Sequence, residues 1–96
     1  MHLGKVIGTV VSTQKDEKLE GFRFYLVQRI DSDNRPLEET IVAVDSVGSG
    51  IGEVVLYATG SSARQTDVTE NKPVDAVIIA IVDTWETEGT VRYTKA

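Results

Sequence analysis

The residues best placed to do chemistry lie in two clusters of small side chains, Gly48-Ser49-Gly50-Ile51-Gly52 and Gly60-Ser61-Ser62-Ala63-Arg64. Glycine-rich turns bring backbone N–H groups close to phosphates, so the first cluster raises a nucleotide-binding reading. Its spacing argues against that reading. A dinucleotide fingerprint is G-x-G-x-x-G between a strand and a helix, whereas Gly48-x-Gly50-x-Gly52 opens onto a β-like run, and no G-x-x-x-x-G-K-[ST] occurs. The three glycines instead mark a sharp corner that needs backbone angles closed to other residues. The second cluster resembles a nucleophile elbow, but G-x-S-x-G fails at Arg64. Ser62 followed by Gln65 fits a capping box, so a helix of one or two turns starting at Ser61 or Ser62 accounts for both serines without catalysis.

The remaining polar residues assemble no site. The chain has one histidine, His2, and no cysteine, so there is no cysteine-based metal site, disulfide or thiolate nucleophile. Asp31, Asp33 and Asn34 resemble part of a calcium-binding loop, but Arg35 and Pro36 stand where a further ligand and the turn glycine belong. Asp45, Asp75 and Asp83 fall at strand ends, where a carboxylate accepts hydrogen bonds from a neighbouring turn. Arg64 and Trp85 are of the types that anchor contacts between chains. The expectation is no catalytic, metal or cofactor-binding residue, and hence no enzyme.

Those clusters must be positioned by strands. Leu3–Thr13 is rich in Val, Ile and Thr, with Gly4 and Gly8 marking a bend or a close backbone approach. Residues 14–21 read as a polar connection with a short helical turn, closed by Gly21. Phe22–Ile30 alternates, with Phe22, Phe24, Leu26 and Ile30 on one face and Arg23, Tyr25, Val27 and Arg29 on the other. Residues 31–36 are turn formers, and strands follow over Glu38–Val44, Glu53–Thr59 and Val74–Thr84. In the tail, Glu88-Gly89 between short β-like runs predicts a hairpin. The pattern is all-β: a small five-stranded, OB-like barrel, one short helix between strands four and five, and a C-terminal hairpin arm over 85–96.

Composition narrows the function classes. At 96 residues, 41% hydrophobic and 26% charged, the chain is expected to form one domain, 1–96, around one core. A net charge of −5 with scattered basic residues argues against nucleic acid as a partner. The longest apolar run, Ala76–Val82, is far too short to span a membrane, and the N-terminus lacks the apolar core of a signal peptide. A soluble, cytoplasmic protein with no membrane partner is expected. Most strands are apolar on both faces, with no amphipathic helix to cover the outer one. Either the loops and tail cover that face or it is an interaction site; self-association is the favoured reading, and for identical chains its usual outcome is a closed ring or dimer.

The chain resembles the pentameric vertex proteins of bacterial microcompartments, including those of ethanolamine-utilisation compartments and carboxysomes. The matching stretches are Met1–Ser12, Leu26-Val27, Val42–Gly52, Glu53–Arg64 ending in Gly-Ser-Ser-Ala-Arg, and Pro73–Asp83. The family pattern usually has Ala at the place of Ser49 and Gly near Ala80. This resemblance implies a homopentamer that plugs the vertices of a polyhedral shell, beside hexameric shell proteins of the same compartment. It also implies that Gly48, Ser49, Gly50, Gly52, Gly60, Ser61, Ser62, Ala63 and Arg64 shape contacts between subunits or with shell tiles. The alternative class is an OB-like binding module for nucleic acid or a small ligand, which would need a basic face with exposed aromatics.

Overall fold

The β-branched run near the N-terminus forms the strand on which the barrel closes. In the computed structural model, which describes residues 1–13 and 15–96, β1 spans His2–Val10, β2 Phe24–Ile30, β3 Pro36–Asp45, β4 Val54–Thr59 and β5 Ala76–Ile81. Gln14, read from sequence as the start of a polar connection, lies outside the described residues. The strands close in the order β1-β2-β3-β5-β4, with β4 returning to β1. Every pair is antiparallel except β3 with β5, which is parallel. This is the all-β, OB-like barrel expected from the turn spacing. A separate two-stranded sheet, β6 Thr84–Thr87 and β7 Thr90–Thr94, forms the C-terminal hairpin. Its turn places Glu88 and Gly89 at φ 51° and 78°, the paired positive angles that suit a two-residue hairpin.

Strand alternation sends one set of side chains inward. Val6, Val27, Val55, Tyr57 and Ile78 are wholly buried, and with Tyr25, Ala43 and Ala76 they fill the interior. Gly4 lets β1 pass between β2 and β4, pairing with Arg29 on one side and Val55 on the other. A Cβ there would lie 2.5 Å from Val27 Cγ1 and 2.7 Å from Tyr57 Cε1. The register slips between Val6 and Gly8, so the second glycine sits at the bend.

The outer apolar surface has two fates. Phe24, on the more apolar face of β2, and Phe22 just before it do not enter the barrel, whose interior takes Tyr25 and Val27 from the opposite face. They pack outside with Leu19 against Val44, Ala58, Ala63, Val74 and Val77. The connections around Leu19 and between β4 and β5 therefore cover part of the outer wall. Ile7 and Val42 remain 45% and 47% exposed on the uncovered part.

The predicted helix between β4 and β5 is a 3-10 turn over Gly60–Arg64, and its capping box does not form. Thr59 occupies the N-cap with no side-chain cap bond, and Ser62 Oγ donates back to the Thr59 carbonyl at 2.6 Å. A tight i→i+3 turn never places Ser62 ahead of an α-helical first turn, which that motif requires. The earlier helical turn is present, at Glu17–Leu19, with the Asp16 carboxylate accepting from Lys18 N at 2.8 Å.

One buried group stands out. The Tyr57 side chain is wholly buried and its hydroxyl has no hydrogen-bond partner among the described residues. Burial pushes the phenol above its ordinary value, reinforced by the charge of Glu39. An unsatisfied buried hydroxyl costs about 1–3 kcal/mol. Tyr57→Phe is therefore expected to stabilise the barrel by about 1 kcal/mol, read as a rise in the chemical-denaturation midpoint. A destabilised variant would mean that the hydroxyl has a partner, such as a buried water.

Candidate assembly surface

The glycine corner is built on one carboxylate. Asp45 ends β3, and its two oxygens accept from Gly48 N at 2.8 Å, from Ser49 N at 3.2 Å and from Ser49 Oγ at 2.7 Å. Gly48 and Gly52 take φ of 80° and 88°, so two of the three glycines use the left-handed region, while Gly50 does not. Ser49 is buried, and its carbonyl accepts from Tyr25 Oη at 3.0 Å, which ties the loop to the barrel interior. The loop is thus pre-formed, with Ile51 left 59% exposed at its tip.

A second carboxylate links this corner to the tail. Glu53 Oε1 accepts from Gly50 N at 2.7 Å, and Oε2 meets Lys95 Nζ at 2.8 Å. The Lys95 hydrogen bond, then that of Gly50, holds the Glu53 carboxyl below its ordinary value, and the same bond raises the Lys95 ammonium. A depressed carboxyl contributes above its unfolded value and loses that contribution as pH falls through its folded one. A raised ammonium contributes below its unfolded value and loses it as pH rises through its folded one. The tether is therefore intact at neutral pH and released at both extremes. Amide exchange at Gly50 should accelerate, beyond its intrinsic pH dependence, as pH drops below the carboxylate range. Unchanged protection would show that this bond does not hold the loop.

The hairpin is fastened to its own chain. Trp85 Nε1 donates to the Ser32 carbonyl at 2.9 Å, Arg92 lies 3.6 Å from Asp33, and the Trp85 and Tyr93 rings stack at 5.1 Å. The partner of Trp85, left open by sequence, is thus its own β2–β3 turn. In that turn the Asp31 carboxylate accepts from Asp33 N and Arg35 N, an Asx arrangement rather than a metal loop.

The second cluster presents differently. Gly60 N donates to the Asp75 carbonyl at 2.8 Å, and Arg64 donates to the Val74 carbonyl at 3.1 Å while staying exposed. Ala63 is wholly buried, and its carbonyl accepts from Thr69 Oγ1 at 2.6 Å. Thr69 is wholly buried too, inside a stretch read from sequence only as polar, and nothing but its hydroxyl chemistry hinted at that. The faces offered to solvent are Gly60, Ser61, Ser62 and Arg64. Within one chain the two clusters do not meet. They flank the six-residue strand β4, about 20 Å apart at the rise per residue of a strand.

Among the described residues, His2 and Ser62 do not come together as base and nucleophile. The His2 ring lies 5.2 Å from that of Tyr57, and its Nε2 is 3.5 Å from Thr59 Oγ1, while Ser62 Oγ is engaged on the Thr59 carbonyl. Burial, then the charge of Arg29, holds the imidazole below its ordinary value.

The sequence model of the family described as "Ethanolamine utilisation protein EutN/carboxysome" matches residues 1–83. The chain belongs to the EutN/CcmL family. It is 46% identical over 95 residues to the carboxysome shell vertex protein CcmL of Gloeobacter violaceus, covering 99% of this chain and 95% of that one. It is 49% identical over 87 residues to the microcompartment shell vertex protein GrpN of Rhodospirillum rubrum, covering 91% and 98%. The solved Gloeobacter violaceus CcmL structure superposes with a TM-score of 0.94 over 99% of this chain and 98% of its own. GrpN, solved as a pentameric microcompartment shell protein, superposes at 0.84 over 91% and 99%. The EutN/CcmL sequence model ends before β6–β7, whereas the Gloeobacter violaceus match runs on through that hairpin.

Proposed function

We propose that this chain is a structural, non-catalytic shell protein of a bacterial microcompartment in the cytoplasm, and that five copies form a ring closing a vertex of the shell. The observation that carries this reading is the match over nearly the whole chain, in sequence and in fold, to shell vertex proteins, one of them solved as a pentamer. A flat sheet of hexagonal tiles cannot close on itself, and a five-fold unit supplies the missing curvature. Hexameric shell proteins are the neighbours such a ring would meet.

A ring of identical chains is heterologous: each copy offers two different patches, one to each neighbour. Two pre-formed clusters at opposite ends of β4 suit that requirement. Gly48, Gly50 and Gly52 shape one end, and Gly60, Ser61, Ser62 and Arg64 the other. Ser49 and Ala63, both buried, act from behind by holding those backbones in place. Native mass spectrometry at micromolar concentration is expected to show five copies of the 10.5 kDa chain. A monomer under those conditions would end the ring reading.

A further inference from the structure

The barrel wall has one open seam. β3 pairs with β5 only at Val44–Val77 and Asp45–Ile78. Away from those pairs the strands diverge around a cleft lined by Glu39, Ile41, Val42, Thr59, Asp75 and Ala76. Ile41, Val42 and Ala76 supply its apolar side chains among polar neighbours, and Val42 is 47% exposed. Its rim carries two carboxylates. Glu39 lies 3.3 Å from Arg29, while the Asp75 side chain is exposed and has no ion-pair or hydrogen-bond partner among the described residues.

On another wall, where β1 ends and β2 begins, the signs reverse. Val11 is 86% exposed beside a groove lined by Val10, Lys15, Phe22 and Arg23. Lys15 Nζ donates to the Ser12 carbonyl at 3.2 Å, and the Arg23 guanidinium is exposed with no partner among the described residues. One patch is therefore an apolar projection flanked by two cations. The other is a cleft of mixed lining that holds Ile41, Val42 and Ala76 between two carboxylates, of which only Asp75 lacks a partner among the described residues.

We propose that Val11 of one copy enters the β3–β5 cleft of the next, with Arg23 of the first copy against Asp75 of the second. This contact rests on the ring reading above and names surfaces that build it. A branched apolar side chain this exposed gains by burial. The opposite charges fix orientation and speed encounter more than they add affinity. The two patches lie on different strand pairs, β1–β2 and β3–β5, so a contact that joins one of each leaves the other of each free for the next copy, which is the head-to-tail arrangement a ring needs. The whole-chain charge of −5 makes identical copies repel in general, so a local match of this kind is what overcomes it.

The test is native mass spectrometry on wild type, Val11→Asp, Arg23→Glu, Asp75→Arg and the Arg23→Glu/Asp75→Arg double variant, with a thermal melt of each. All three positions are exposed in the single chain, so the variants are expected to stay folded. Wild type is expected as the five-copy species, each single variant to lose it, and the double variant to regain it. A monomeric wild type would overturn the ring reading itself. A ringed wild type whose single variants ring equally well would overturn this contact alone. Single variants that dissociate without recovery in the double would overturn the Arg23–Asp75 pairing.

Discussion

Gly4→Ala is expected to lose about 3 kcal/mol of stability or more, at the upper end of what overpacking a filled core costs. The added Cβ would stand 2.5 Å from Val27 Cγ1 and 2.7 Å from Tyr57 Cε1, closer than non-bonded carbons approach. Neither neighbour can yield cheaply, because both side chains are wholly buried in a closed barrel. Nor can the backbone retreat, since Gly4 is paired to β2 and β4 at once. For a domain of this size about 3 kcal/mol corresponds to a fall of roughly 12–24 °C in melting temperature. Gly8→Ala is the control: its Cβ would meet Leu26 Cδ1 at 3.4 Å, an outward-facing chain with room to turn. Its expected effect is below about 1 kcal/mol, the range of a glycine change at a compatible site. Equal melting temperatures for the two variants would sink the crowding argument.

Gly4 also shows what kind of information a sequence carries. A glycine inside a β-branched run announces a close approach, because little else explains the loss of a side chain there. The strands, the hairpin turn at Glu88-Gly89 and a turn after Ile30 were legible for similar local reasons. The direction each strand faces was not. Phe24 and Leu26 form the more apolar side of β2, yet Tyr25 and Val27 fill the barrel, where the Tyr25 hydroxyl finds the Ser49 carbonyl. Thr69 was likewise invisible: its burial depends on the Ala63 carbonyl, which a 3-10 turn rather than an α-helix aims at it. Ser62 and Gln65 matched a capping box in spacing alone, and the backbone declined the α-helical geometry that gives the spacing its meaning. Of the candidate contact residues, the small side chains were readable as two clusters. Their placement on either side of one strand was readable too, while the burial of Ser49 and Ala63 emerges only from tertiary packing.

Asp45→Ala is expected to dismantle the corner that Gly48–Gly52 form, at about 3 kcal/mol, since hydrogen bonds to a charged acceptor are worth roughly 1.5–3 kcal/mol each and do not add fully. The substitution strands Gly48 N, Ser49 N and Ser49 Oγ together; Gly48 is open to water, but Ser49 is only 4% exposed, so its two donors cannot be satisfied without opening the loop. Asp45→Asn keeps an oxygen but not the charge, and should fall between wild type and alanine. Ser49→Ala removes a single hydroxyl bond and leaves both backbone donors on the carboxylate, so it should cost about 1 kcal/mol or less. That ordering separates a loop held by Asp45 from one held by its glycines. Denaturant melts give the stabilities, and amide exchange at Gly48 and Ser49 shows whether the loop has opened. Because β2, β3 and β5 keep their own ladders, the Asp45→Ala barrel should still melt cooperatively while the five-copy species is lost from native mass spectra. If the alanine variant melted within about a kilocalorie of wild type, the hydrogen-bond figure assumed above would be too large. Retained loop protection in that variant would return the corner to its glycines alone.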